Sequence, residues 1–391
     1  MDNLEKSTIL YVNQVRQDNF DILIGKGFSE AFSWRNYFKR IVFVCYSTTN
    51  EYLFKKKYSN CYLIGIPFKL STNSMKSLIN LGKNYFKLYY ILHGLKKVTK
   101  IDIIRMENLL LSGPPIYLFS RVKKIPYVIW LGGNEREALY IKYNKNLFTW
   151  FLSKLIIVFE ILILKNSNFV FPVTDDLYNL TIKRNVNNKI LSPNFVDLSK
   201  FVDLKKDIDS RKKITVLYVG RFEEEKGIKI LLNAIKSLSE IDKKVEFLMV
   251  GDGSLNKWIQ DFILNKNVKN VKLLGKFDHE EMPKIYSLAD IFILPSYTEG
   301  SPAALLEAMS CGLACIATEV GECKKIIINN QNGLLIPPAD ADLLSSAIKS
   351  LVNDKELLKK FSKNARIFVL DYIKNYKKIH KYVYEQLLKN N

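Results

Sequence analysis

The chain is expected to fold as α/β, in two domains that are each built on an open, mostly parallel sheet. Three observations predict this. Short apolar runs with the length of buried strands alternate with longer stretches of helical periodicity, from 9–13 through to 333–337, the pattern of parallel sheets covered by helices. The 391 residues suffice for two domains of ordinary size. Residues 198–213 are charged, unpatterned and short of large apolar side chains, as an interdomain linker should be. With 48% hydrophobic residues, real cores can be buried.

In the first half, candidate strands are 9–13, 41–46, 62–66, 101–105, 127–131 and 169–173, and 74–98 has apolar residues at helical spacing. Segment 147–164 is close to the length of a membrane span but contains Lys154 and Glu160. On a helix, Thr149, Ser153 and Glu160 fall within about 40° of each other, with Lys154 about 100° further round, a narrow polar stripe on an apolar cylinder. Three readings stay open: a buried or half-buried domain helix, an in-plane membrane-docking helix, and a span. Phe148, Trp150 and Phe151, with Lys142 and Lys145 nearby, suit an anionic interface.

In the second half, 214–220 is a strand, and Arg221 and Lys226 lie just beyond its carboxyl end, where open α/β sheets bind ligands. A planar guanidinium fork and a mobile ammonium suit phosphate groups. Strand 245–250 runs into Gly251-Asp252-Gly253, and strand 271–274 into Gly275, Lys276 and Phe277; 278–281 then starts a helix with an acidic first turn. Residues 291–294 are again a buried strand, 295–300 a loop, and Pro302 sits just inside a helix whose expected cap is Ser301. Leu305, Leu306 and Met309 give that helix a packed face, and Gly312 is placed to end it. A strand, a glycine-containing loop and a helix N-terminus together make an anion site. Two carboxylates flank it, Glu299 before the helix and Glu307 within it. Carboxylates do not bind phosphate, so their partners should be hydroxyl groups on either side of one. Strands 314–317 and 333–337 and the C-terminal helices, including 371–389, complete the chain.

The formal net charge is +20. Residues 1–205 carry 30 Lys+Arg against 15 Asp+Glu, and the remainder 29 against 24. A basic N-terminal half implies an acidic partner, unless it only reflects a lysine-rich composition. The lysines are scattered, 55–57 being the longest run, and no nucleic-acid motif accompanies them, so no nucleic-acid partner is expected. The five cysteines (Cys45, Cys61, Cys311, Cys315, Cys323) lack Cys-x-x-Cys spacing and are expected as buried free thiols of a reducing compartment. His93, His279 and His380 form no metal-ligand pattern. The N-terminus lacks the order of a signal peptide, so the expected location is cytoplasmic, with attachment at the inner membrane face as an open addition.

The stretch Glu299-Gly-Ser-Pro-x3-Leu-Glu307-Ala-Met-Ser-x-Gly312 resembles the signature of glycosyltransferase family 4 at each fixed position. Gly220-Arg221-x4-Lys226-Gly227, Gly251-Asp252-Gly253 and the junction Pro193-Asn194-Phe195-Val196-Asp197-x3-Phe201 are similar to further motifs of that family. The resemblance is close over 190–350 and architectural over 1–190. It implies the GT-B fold, two Rossmann-like domains facing each other across a cleft. Residues 1–200 would bind acceptor and 201–365 the nucleotide sugar, with 366–391 a helix packing back towards the N-terminal domain.

The resemblance further implies a retaining, metal-independent transfer from a nucleotide-diphosphate sugar to a glycan or lipid-linked acceptor, in cell-surface polysaccharide or glycolipid synthesis. An anionic membrane surface is an added partner. Arg221, Lys226 and Glu299 take the catalytic positions. Gly220, Gly251, Gly253, Lys276, Phe277, Gly300, Ser301, Pro302, Ala303, Ala304, Leu305 and Glu307 take donor-binding ones, with Glu307 on the ribose and Glu299 on the transferred sugar. No cofactor or metal is implied. The chain departs from the family where Trp130 or Leu131 replaces a histidine, where Gln14 to Asp18 replaces paired glycines (Gly25 and Gly27 come later), where Phe195 replaces glycine, and where Glu322 and Lys325 replace a glycine and an acid. The alternative is a non-catalytic GT-B subunit binding a partner transferase or membrane, although a scaffold has no need of the intact Arg221, Lys226, Glu299 and Glu307. An epimerase or phosphorylase of the same fold would need acid–base residues or a cofactor lysine motif that the sequence does not supply.

Overall fold

The computed structural model describes residues 3–13, 34–47, 53–58, 60–67, 74–132, 157–194, 196–203, 208–209, 211–241 and 243–389. The chain divides into two compact units, Met1–Pro193 with Lys377–Asn391, and Asn194–Tyr376.

Unit 1 is built on a seven-stranded sheet of β1 (Thr8–Asn13), β2 (Arg40–Ser47), β3 (Leu53–Tyr58), β4 (Cys61–Pro67), β5 (Ile103–Met106), β6 (Tyr127–Leu131) and β7 (Phe169–Pro172), in the order β3-β4-β2-β1-β5-β6-β7. Its pairings are parallel except β3 with β4. The expected helix is present as Ser74–Val98. Strand β3 was not expected. It contains the lysine run 55–57 and closes the sheet edge, where lysine discourages pairing with another chain and no apolar alternation is needed. The positions of Gly25, Gly27 and 147–156 lie outside the described residues.

Residues 157–165 are helical, and Glu160 is buried there, accepting from Arg184 Nε at 3.2 Å. Of the polar stripe, Glu160 therefore points inward, and Val158, Phe159 and Leu162 point to solvent. Among the described residues no helix is long and apolar enough to cross a membrane.

The last helix, Lys355–Lys389, is longer than the periodicity of 371–389 suggested, and its residues from Lys377 onward belong to unit 1. His380 anchors it there. Its ring stacks on Phe171 at 4.0 Å, lies 5.4 Å from Trp130 and shares a 2.7 Å hydrogen bond with Ser192 Oγ. Burial first, then the nearby Arg105 guanidinium, hold its imidazole well below the usual histidine range, so it stays neutral. Arg105 itself is buried, 4.3 Å from the Trp130 ring and 3.3 Å from the Tyr384 hydroxyl. Trp130, which with Leu131 is one of two candidates for the position where the resemblance implies a histidine, is thus an apolar wall against a buried cation.

Unit 2 is a six-stranded parallel sheet of β8 (Ile214–Val219), β9 (Val245–Val250), β10 (Val271–Gly275), β11 (Ile291–Leu294), β12 (Ala314–Thr318) and β13 (Leu334–Ile336), in the order β10-β9-β8-β11-β12-β13. The helix Ile228–Ser237 buries Ile228, Leu231, Leu232 and Ile235 and packs against the helix Ala341–Asn353. Both join the strands' inward residues in one core. The chain winds outward from β8 to β10, then returns to β11 and winds the other way. Strand order therefore reverses between β8 and β11, and the loops after these two strands meet at that point. Within the expected linker 198–213, Phe201 is fully buried in unit 2, and its carbonyl accepts from Arg366 Nη1 at 3.1 Å. All five cysteines are buried, and none forms a disulfide.

Candidate active site

The site begins where the two loops pack. Gly227 ends the loop after β8 with φ +67°, and a Cβ there would lie 1.9 Å from the Pro295 carbonyl oxygen. Only glycine permits that approach. The Tyr297 N–H donates to the Glu225 carbonyl at 2.9 Å, tying the loops together a second time. Lys226 Nζ consequently donates to Glu299 Oε1 at 2.7 Å across 73 residues of chain. Ser296 Oγ donates to the same oxygen at 2.6 Å, and the Ser296 carbonyl is itself held by Thr318 Oγ1 at 2.6 Å. The side chains of Lys226 and Glu299 are 18% and 10% exposed, so solvent screens the pair only partly. From below, the loop after β12 supports Glu299: Gly321, with φ +49°, would place a Cβ 1.8 Å from the Glu299 carbonyl oxygen, and the Glu322 N–H donates to the Gly300 carbonyl at 3.2 Å. An ammonium has three donors; one is used here, and two remain for a ligand.

Next to this pair stands the N-terminus of the helix Ala303–Ser310. The expected cap, Ser301, is not the cap. Pro302 occupies that position and no side chain caps the helix. The Ser301 hydroxyl instead accepts from the Asn194 N–H at 2.7 Å, and its carbonyl from Asn194 Nδ2 at 3.1 Å. The junction motif has drawn the serine away, so among the described residues no capping side chain takes the N–H groups of Ala303, Ala304 and Leu305 at the positive end of the helix dipole.

One helical turn further, Glu307 is 7% exposed. Its Oε1 accepts from His279 Nε2 at 2.7 Å, and its Oε2 from the Tyr286 hydroxyl at 2.8 Å. Burial, then the Glu307 charge, push the Tyr286 phenol well above the usual tyrosine range, which keeps it a donor. Phe201 packs edge-on against the His279 ring at 5.3 Å. Sequence reasoning missed His279 and Tyr286. Neither stands at a spacing from Glu307 that periodicity could detect.

The remaining expected positions are less closely gathered. Arg221 is 66% exposed on its side chain and paired with Glu225 at 2.7 Å; no contact joins it to Lys226 or Glu299. Gly220, Gly251 and Gly253 have a packing reason of their own: a Cβ would lie 2.6 Å from the Tyr218 hydroxyl, 1.9 Å from the Gly220 carbonyl and 2.4 Å from the Phe222 carbonyl, respectively. Lys276 is exposed and Phe277 half-buried just ahead of His279. Among the described residues no group of three or more His, Cys, Asp or Glu could hold a metal ion.

Residues 201–368 match the family model for glycosyl transferases group 1. An uncharacterized glycosyltransferase of Methanocaldococcus jannaschii is 34% identical over 152 residues, 39% of this chain and 42% of that protein. The N,N'-diacetylbacillosaminyl-diphospho-undecaprenol alpha-1,3-N-acetylgalactosaminyltransferase of Campylobacter jejuni is 30% identical over 191 residues, 49% of each chain. Each match thus spans less than half of the relative. Among solved structures, sucrose-phosphate synthase from Thermosynechococcus elongatus superposes with a TM-score of 0.71 at 21% identity, covering 99% of this chain and 100% of that one. This likeness shows the fold, the two-unit GT-B architecture.

Proposed function

Because residues 201–368 belong to the glycosyl transferases group 1 family, we propose that the protein moves a sugar from a nucleotide-diphosphate sugar to a hydroxyl of a glycan or lipid-linked acceptor, with retention at the anomeric carbon. The observation that carries this is the Lys226–Glu299 pair, 2.7 Å apart beside a helix N-terminus with no side-chain cap. In this proposal the two unused donors of Lys226, the first-turn N–H groups of Ala303 to Leu305, and Arg221, once released from Glu225, take the diphosphate. Glu299 holds hydroxyls of the transferred sugar, and Glu307 those of the ribose. The bond from the sugar carbon to the phosphate oxygen breaks with its electron pair leaving on the diphosphate. The acceptor oxygen attacks the same face, and its proton passes to the departing phosphate oxygen. Fixed positive groups at that oxygen lower the barrier because they need no rearrangement as the charge develops.

A thermal-shift panel of UDP-, GDP- and ADP-sugars without added metal tests this reading. One donor is expected to raise the melting temperature of the wild type and to do so much less for Arg221→Ala and Glu307→Ala. A panel in which no donor shifts the curve at millimolar concentration rejects the donor site and favours a non-catalytic binding subunit.

A lipid-linked acceptor, the class named for the Campylobacter jejuni relative, would bring the protein to a membrane face. The outward Val158, Phe159 and Leu162, 62%, 43% and 39% exposed and followed by the exposed Lys165, would give the half-buried helix at 157–165 an apolar face for in-plane docking. In a flotation assay at low salt, the protein is expected to rise with anionic liposomes and stay behind with neutral ones. Staying in the soluble fraction with both excludes docking.

A further inference from the structure

Donor binding by Glu307 leaves unexplained why this carboxylate is clamped on both oxygens. Among the described residues its ionic partner is a histidine, not a lysine or arginine. An ionised carboxylate only accepts hydrogen bonds, so at 2.7 Å the His279 Nε2 must carry a proton. The other ring nitrogen, Nδ1, is buried without a hydrogen-bond partner. The geometry therefore makes Nε2 a directional donor to the carboxylate. Tyr286 supplies the second donor from the helix Met282–Ser287, and its hydroxyl also lies 3.3 Å from the Ala304 carbonyl. Thus a single short segment, His279 to Tyr286, grips the carboxylate. The Phe201 ring backs the imidazole, and Arg366 holds the Phe201 carbonyl.

We propose that His279 and Tyr286 are positioning residues: they fix the Glu307 carboxylate so that one remaining lone pair on each oxygen receives one of the two neighbouring ribose hydroxyls of the donor nucleotide. This rests on the donor reading above. Each oxygen spends one acceptor site on the protein and keeps another, and two adjacent acceptors match a vicinal diol. With a clamp the carboxylate is already oriented when the nucleotide arrives; without it, binding must also order the side chain.

Calorimetric titration tests the inference with UDP, GDP and ADP, and then with the 2′,3′-dideoxy form of whichever binds. His279→Phe is expected to weaken the ribonucleotide about tenfold and to leave the dideoxy form unchanged. His279→Gln, whose amide N–H can reach the same carboxylate oxygen, is expected to restore most of the affinity. In a Glu307→Ala background, His279→Phe should add no further loss, since the histidine acts through that carboxylate. Tyr286→Phe, nearly isosteric, gives the same reading if His279→Phe folds poorly. Equal losses for both nucleotides, or losses that add to that of Glu307→Ala, would overturn the inference and leave His279 a local packing residue. If Glu307→Ala itself binds the ribonucleotide normally, or the wild type binds no nucleotide, the donor reading falls first and takes the inference with it.

Discussion

Lys226→Ala is expected to lower the rate of sugar transfer by about two to three orders of magnitude, the usual consequence of removing one preorganised donor to a developing oxyanion. Lys226 meets Glu299 at 2.7 Å while both are largely shielded from water, so its ammonium is held at one point and acts at a lower effective dielectric than a surface lysine. In the proposed mechanism, removing it takes a positive charge from the leaving group; it also leaves Glu299 with Ser296 as its remaining donor among the described residues. Both charges of the site are then misplaced by one substitution. Glu299→Gln should cost nearly as much, and the double variant little more than either single one, because the two side chains act as a unit. The measurement is kcat/KM with the donor identified by the panel, alongside a thermal melt to show that the fold persists. Turnover unchanged in Lys226→Ala would reject the assignment.

The second large effect is on assembly of the site. Gly227→Ala should destabilise unit 2 by about 2–4 kcal/mol, combining the strain of an alanine at positive φ with overpacking against backbone. The added Cβ would lie 1.9 Å from the Pro295 carbonyl oxygen. A backbone atom cannot rotate away, so the two loops must part and Lys226 must leave Glu299. Gly275→Ala is the control. Its φ is +74°, but a Cβ there meets nothing within 4 Å, so it should show only the conformational cost of about 1 kcal/mol. Thermal unfolding of the two variants separates clash from strain. Equal losses would mean that the loop contact contributes nothing. Activity should follow the same order, absent in Gly227→Ala and close to normal in Gly275→Ala.

Much of this was legible along the chain. Buried strands announce themselves because both faces of a parallel strand need apolar side chains, and of the thirteen strands among the described residues, twelve fall on short apolar runs. The one missed, β3, is an edge strand with a lysine run, so the signal that betrays a buried strand was missing. Ser301 was misjudged for a different reason. A serine before a helical run is by local rules a cap, but its hydroxyl was claimed by Asn194, a residue 107 positions away. Phe201 was legible only as the end of a junction motif inside a charged stretch, yet it is fully buried and packs edge-on against the His279 ring.

The sequence by itself determined the α/β class, the glycines at which loops turn, and the residue types available to the site: a lysine and an arginine after one strand, and two carboxylates around one helix N-terminus. These are properties of short stretches, in which periodicity, backbone freedom and charge are written directly. Only the tertiary structure decided which of them meet. Because β8 lies beside β11 in the sheet, Lys226 reaches Glu299, while Arg221 turns to Glu225. Because the segment from His279 to Tyr286 packs on the helix Ala303–Ser310, Glu307 gains two donors. Strand order follows from how crossover helices pack on a whole sheet, and a hydrogen bond between distant residues follows from that order. Neither leaves a period or a spacing in the chain.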